Sequence, residues 1–163
     1  MKVLTEEQAN YWLNQHIRSR IFAAYAQPRW FRPWAETQSP ENRELQQSLH
    51  FILQASWEGR HAAIRWLIEF VGVINDSEGQ PKRSSRKFDD DFRISDLAGT
   101  EIALKSAEAE KLASLCYDLN KATSHPTHES DHDTITEERL RWAAQFLASY
   151  VNEQLYKPRG MTL

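Results

Sequence analysis

Apolar residues recur at three- and four-residue steps along four long stretches of the chain, and the segments between them are polar or broken by proline. In the first stretch Ala9, Trp12, Leu13, His16, Ile17, Ile21 and Phe22 keep the helical period. Thr5 and Gln8 form a capping box ahead of them, with Glu6 and Glu7 well placed in the first turn. A helix over about residues 5–25 follows. Ser39-Pro40 then gives a second start, with serine as N-cap and proline at the first helical position.

After it Leu45, Leu49, Ile52, Ser56, Gly59, Ala63, Trp66 and Phe70 alternate in steps of four and three without a break. That is a heptad seam. A second row, Leu53, Ile64, Leu67, Ile68 and Val71, makes the later half apolar nearly all round. The pattern predicts a central helix over about 40–73, on the order of 50 Å long. Ser56, Gly59 and Ala63 mark a place where another backbone is expected to approach closely. Ser106 caps a third helix, over 106–125, whose apolar row is Ala109, Leu112, Leu115, Cys116, Leu119 and Ala122. Thr134 and Glu137 suggest a second capping box for a helix over 135–156, built on Leu140, Ala143, Ala144, Leu147, Tyr150, Val151 and Leu155, with Trp142 and Phe146 on a flanking face. Lys157 to Gly160 is expected to fray.

The fold class is therefore all-α: a bundle of four main helices around one long central helix, with an irregular middle that holds at most a small β-ribbon. Arg93-Ile94 and Ile102-Ala103, turning at Ala98-Gly99, are the candidate strands. The chain reads as a single domain, 1–163, with an aromatic loop at 28–38, a basic and acidic loop at 76–105 and a His-rich loop at 125–133. A long helix with a surplus apolar face also suggests a homodimer.

Composition narrows the function classes. The 163 residues carry a formal net charge of −3 with 26% charged residues, so bulk electrostatics favours neither nucleic acid nor anionic membrane. Any such partner needs a local patch. Pro28-Arg29-Trp30-Phe31-Arg32-Pro33-Trp34 interleaves aromatics with arginines, and reads as an aromatic plug ahead of a base-stacking strip. Lys82-Arg83-Ser84-Ser85-Arg86-Lys87 reads as a solvated loop and as the best local phosphate-contact candidate. Six Trp, seven Phe and five Tyr supply large buried areas. The single cysteine, Cys116, cannot form an internal disulfide and sits in a helical apolar row, so it is read as buried and inert, in keeping with a reducing cytosol. No stretch approaches the roughly 18 apolar residues of a membrane span and no apolar signal core opens the chain. The expectation is a cytoplasmic protein with no membrane partner and no evident small-molecule cofactor.

Chemistry concentrates in Tyr117 to Asp133, where three of the six histidines fall within eight residues. Pro126 ends the helix there and turns the chain into a loop. One reading makes His125, His128 and His132, with Asp131 or Glu129, a zinc site, since zinc accepts imidazole and carboxylate ligands. Asp89-Asp90-Asp91 is an acidic triplet of the kind that more often caps a helix or pairs with a base than holds Mg²⁺.

A second reading rests on resemblance. Glu58, Arg65 seven residues later, Leu67-Ile68-Glu69-Phe70, Asp89-Asp90-Asp91 and Asn120-Lys121-x-x-x-His125-x-Thr127 resemble a pattern in helical bacterial proteins of poorly defined role. That pattern is similar to HEPN domains, all-α folds often found as dimeric RNA-cleaving toxins or defence effectors. The likeness spans residues 45–128. In the HEPN nuclease signature an arginine precedes the histidine; here Asn120 holds that place, with Lys121 next to it. The resemblance implies metal-independent chemistry: His125 as general acid or base, Lys121 and Arg65 stabilising phosphorane charge, and Glu58 orienting His125 or Arg65. The sequence equally supports a non-catalytic interaction protein, in which these residues form a hydrogen-bonded network locking helices together.

Overall fold

The computed structural model describes residues 4–25, 43–83, 92–124 and 134–163. The chain is helical, as its periodicity requires. The first helical stretch comprises α1 (Glu6–Tyr11), a π-helical segment (Trp12–Ile17) and α2 (Arg18–Tyr25). The central helix is α3 (Arg43–Phe70), followed by β1 (Val73–Asn75) and β2 (Pro81–Arg83). A 3₁₀ turn (Ile94–Leu97) leads to α4 (Ala107–Ser124) and α5 (Glu137–Val151), which continues through a π segment (Asn152–Tyr156) into a last 3₁₀ turn (Lys157–Arg159). No helix among the described residues is long and apolar enough to cross a membrane. The aromatic loop at 28–38 lies outside the described residues.

Thr5 caps α1 through the expected box, its hydroxyl accepting from the Gln8 amide while the Gln8 side chain accepts from Thr5 N. Leu13, Ile17, Ile21 and Ala24 form the buried stripe. Phe22 is 82% exposed, on the opposite face from the stripe it was expected to join. At α5 the cap is Thr136, whose hydroxyl accepts from Arg139 N, in place of the Thr134–Glu137 box. The reason is Ile135: it is buried, and burying it puts the next residue at the helix boundary, in hydrophobic-staple relation to Leu140.

α3 divides in two. From Arg60 onward it is core: Ala63, Ile64, Leu67, Ile68, Phe70 and Val71 are buried. Before Arg60 it is not, and Phe51 and Ile52 stand 71% and 48% exposed. Gly59 is exposed as well, and a Cβ built there meets nothing within 4 Å, so it marks no close helix crossing. The boundary is set by Arg60 itself, 1% exposed, which sequence periodicity leaves off the seam. Its Nε donates to the carbonyl of Ala24 at the end of α2 (3.0 Å), and its terminal nitrogens grip both oxygens of Glu137 at the start of α5 (2.6 and 3.2 Å). α2 ends and α5 begins at this level. The earlier half of α3 runs past both.

The ribbon forms earlier in the chain than expected. β1 pairs antiparallel with β2, Val73 opposite Arg83 and Asn75 opposite Pro81. Asp76 closes the turn, its carboxylate accepting the amides of Gln80 and Glu78 at 2.9 Å each, which holds its pKa below the usual range. The expected strands instead hold the 3₁₀ turn, which ends with Ala98 in the left-handed region (φ 58°). Arg83 is structural rather than available to phosphate. It donates to the carbonyls of Gly72 and Ile102 (3.0 Å each) and pairs with Glu101 at 2.9 Å. Gly72, at φ +88°, is required here, because a Cβ would lie 2.6 Å from the Arg83 guanidinium and 2.7 Å from Glu101.

The tail is docked, contrary to the fraying expected of it. Tyr156 is fully buried and its hydroxyl donates to the carbonyl of Leu13. Arg159 donates to the carbonyls of Leu97 (2.6 Å) and Leu155 (2.8 Å), and Arg18 reaches the carbonyl of Thr162.

The Arg60–Glu137 pair gives a first prediction. Glu137→Ala leaves a buried guanidinium with an uncompensated charge, and should lower unfolding free energy by about 3–5 kcal/mol in urea titration. A loss below about 1 kcal/mol would show that water or another acid replaces Glu137.

Candidate functional site

The residues singled out by sequence converge, in part, on the seam between α3 and α4. Arg65 projects from α3 and pairs with Glu69 one turn on, Nε to Oε1 at 3.1 Å, both side chains 42% exposed. Opposite, the last turns of α4 carry Cys116, Asn120 and Lys121. Asn120 Nδ2 donates to Asn75 Oδ1 at 3.2 Å, and approaches Cys116 Sγ at 3.7 Å. Asn75 in turn donates from its own Nδ2 to the carbonyl of Asp76 (2.8 Å). The end of α4 is thus tied to the turn of the ribbon. Lys121 is exposed, its ammonium 4.7 Å from the centre of the Tyr117 ring, a separation at which a cation is held over an aromatic face.

Cys116 lies at the centre of this arrangement, 1% exposed. Burial pushes its thiol up to about 12, the Glu69 carboxylate adds to the effect, and the Arg65 guanidinium and the Asn120 hydrogen bond oppose it. A thiol so placed stays protonated at physiological pH and serves as packing, not as a nucleophile. The same balance shows that Arg65 and Glu69 lie within electrostatic reach of α4.

Glu58 stands apart. It is exposed, accepts from Gln54 Nε2 at 3.0 Å, and lies seven residues from Arg65, about 10 Å along the helix axis. His125, with His128, His132 and Asp131, lies outside the described residues, as do Asp89, Asp90 and Asp91. Among the described residues no group of three or more His, Cys, Asp and Glu side chains is arranged to hold a metal ion. Of the candidates that are described, Arg65 and Asn120 both act on Cys116, while Lys121 follows Asn120 in the sequence and lies over Tyr117 of its own helix. Sequence reasoning missed Asn75 as a partner of Asn120, forty-five residues away. It also passed over the Arg65–Glu69 pairing, which the i, i+4 spacing announces.

Two surface grooves lie away from this seam. One, of about 560 Å³, runs between α4 and α5 beside Lys111, Ser114, Arg139 and Trp142. The other, of about 640 Å³, is lined by Arg18, Phe22, Tyr25 and Leu163. Comparison with protein-family models, with curated proteins and with solved structures finds no match to the chain.

The Cys116 thiol makes a pH prediction. Its folded pKa, about 12, lies above its ordinary 9.0, so the folded state binds the proton more tightly. The stability this contributes is complete below pH 9 and is lost as pH rises from about 9 to about 12. Cys116→Ala should therefore remove part of the alkaline loss of stability seen in wild type. Identical alkaline slopes for the two proteins would contradict the burial of the thiol.

Proposed function

We propose that the chain is a HEPN-like RNA-binding protein in which Lys121 of α4 and Arg65 of α3 contact the phosphate backbone. The observation that carries this reading is their placement: Arg65, on the central helix, lies within electrostatic reach of Cys116 on α4, and Lys121 follows Asn120, whose carboxamide is held by Asn75 and Cys116. Lys121 is exposed and Arg65 nearly half so. A lysine contacts phosphate as a point charge, and a guanidinium can take two of its oxygens. Cleavage is the stronger form of the proposal. It assigns His125 the general acid–base role, four residues past Lys121, and needs no metal. Glu58 pairs with Gln54 one turn before it. A toxin or defence context fits the resemblance.

A second reading draws on Asn120. Its amide is spent on Asn75 and Cys116, which is the work of a residue that locks a helix to a turn. On that reading the cluster is structural and the protein an interaction module.

The two readings separate on single variants. If RNA is the ligand, Lys121→Ala and Arg65→Ala each weaken binding to a short labelled single-stranded RNA and reduce the slope of log K against log salt by about 0.7 per lost contact, at unchanged melting temperature. His125→Ala abolishes cleavage and spares binding. Asn120→Ala should cost about 1 kcal/mol of stability on either reading, because it strands the half-buried carbonyl of the Asn75 side chain. Wild-type protein that binds no RNA at low salt would end the proposal and leave the structural reading.

A further inference from the structure

The groove between α4 and α5 already holds a cation, and that cation is the chain's own. Lys111 of α4 sets its ammonium 5.4 Å from the centre of the Trp142 ring on α5, close enough for the electron-rich face to attract it. Trp142 is half-buried and stacked on Phe146, the two rings 5.6 Å apart and within 12° of parallel. Burial and stacking hold the ring in place, whereas Lys111 is exposed and hangs on a flexible stem. The volume beside this pair is about 560 Å³, inside the roughly 300–1,000 Å³ range of small-molecule sites.

Charge in the groove does not balance. The Arg139 guanidinium is engaged by Asp118 at 2.7 Å and by Ser114 at 3.2 Å. That leaves Lys111 against two exposed carboxylates, Glu110 and Glu138, which line the same groove and form no ion pair among the described residues. Each acid lies in the first turn of its helix, where the dipole favours it, but a dipole calls for no aromatic floor beside it.

The two acids stand toward opposite ends. α4 and α5 run antiparallel at this level, since Arg139 meets Ser114 while Trp142 meets the earlier Lys111. Pairing 139 with 114 and 142 with 111 sets 138 level with about 115, which is about five residues, or about 7 Å along the axis, from Glu110. An aromatic surface with a carboxylate toward either end suits an extended aliphatic dication. Its methylenes lie on the ring and each ammonium meets one acid.

We propose that this groove binds a linear aliphatic diamine, which displaces the Lys111 ammonium from Trp142 and pairs with Glu110 and Glu138. The site is separate from Arg65, Asn120 and Lys121, and its occupancy does not depend on the function proposed above.

Equilibrium titration of the full chain with cadaverine, a five-carbon diamine, tests it. Physiological ionic strength screens general attraction to the net negative chain. Cadaverine should bind more tightly than pentylamine, which carries one ammonium, and pentanediol should not bind. Lys111→Met should tighten cadaverine binding by about fivefold, the size of one exposed cation–π contact. Lys105→Met makes the same charge change at an exposed position outside the groove, and should leave the affinity as it is. Glu138→Gln should bring cadaverine down to the level of pentylamine. Equal affinity in wild type and Lys111→Met overturns the displacement, and an equal gain from Lys105→Met does the same. Binding that Glu138→Gln does not weaken is general attraction to an acidic surface and overturns the proposal, as does failure of both wild type and Lys111→Met to bind cadaverine.

Discussion

The Arg60 guanidinium decides how the helices meet. A buried cation is costly unless its hydrogen bonds are satisfied and its charge is answered, and here all three nitrogens are engaged, one by the Ala24 carbonyl and two by Glu137. The polarity is consistent throughout. Ala24 lies at the C-terminal, partly negative end of α2, and Glu137 sits in the first turn of α5, where the helix dipole favours an anion. One side chain of the central helix therefore joins the end of one neighbour to the start of another. Among the described residues, the buried core of the bundle takes in α3 from Arg60 to Phe70.

Arginines do comparable work elsewhere. Arg83 ties the carbonyls of Gly72 and Ile102, Arg159 those of Leu97 and Leu155, and Arg18 that of Thr162. Each bridges backbone oxygens at the ends of short elements, where helical bonding leaves acceptors over. Arg139 adds Asp118 at 2.7 Å and Ser114 at 3.2 Å, drawing α4 against α5. A modest apolar fraction is thus supplemented by guanidinium staples. This also narrows which basic residues can meet an outside anion, because a fork already holding carbonyls is not free to hold a phosphate.

Periodicity carried most of the fold: the four helical stretches, the Thr5 cap and the apolar rows of α4 and α5 are legible because each depends on residues within a turn or two. What was not legible is tertiary. Arg60 looks like a solvent-facing residue between Gly59 and His61, and nothing local announces that Glu137, seventy-seven positions on, will meet it. The seam through Ile52 and Gly59 has the right spacing, but spacing says that a face is apolar, not what covers it. The ribbon moved because Asp76 and Gly79 make the better turn, while Ala98 closes a 3₁₀ turn instead. At the candidate site Lys121 and Arg65 were visible as charges; the Asn75–Asn120 contact, which fixes their frame, was not.

That contact bears on how structure and function combine at the end of α4. Asn120 and Lys121 are adjacent, yet the first is turned to the ribbon and the second to solvent. The hydrogen bond from Asn120 to Asn75 sets the rotation of the last helical turn, and that rotation determines where Lys121 projects. A structural lock and an exposed cation are then consecutive consequences of one helix phase. Rigid placement of this kind is what a phosphate contact requires, since a lysine held over the Tyr117 ring loses less conformational freedom on binding than one swinging from a loose loop. The lock can exist without a ligand. A well-placed cation at that position could hardly exist without the lock.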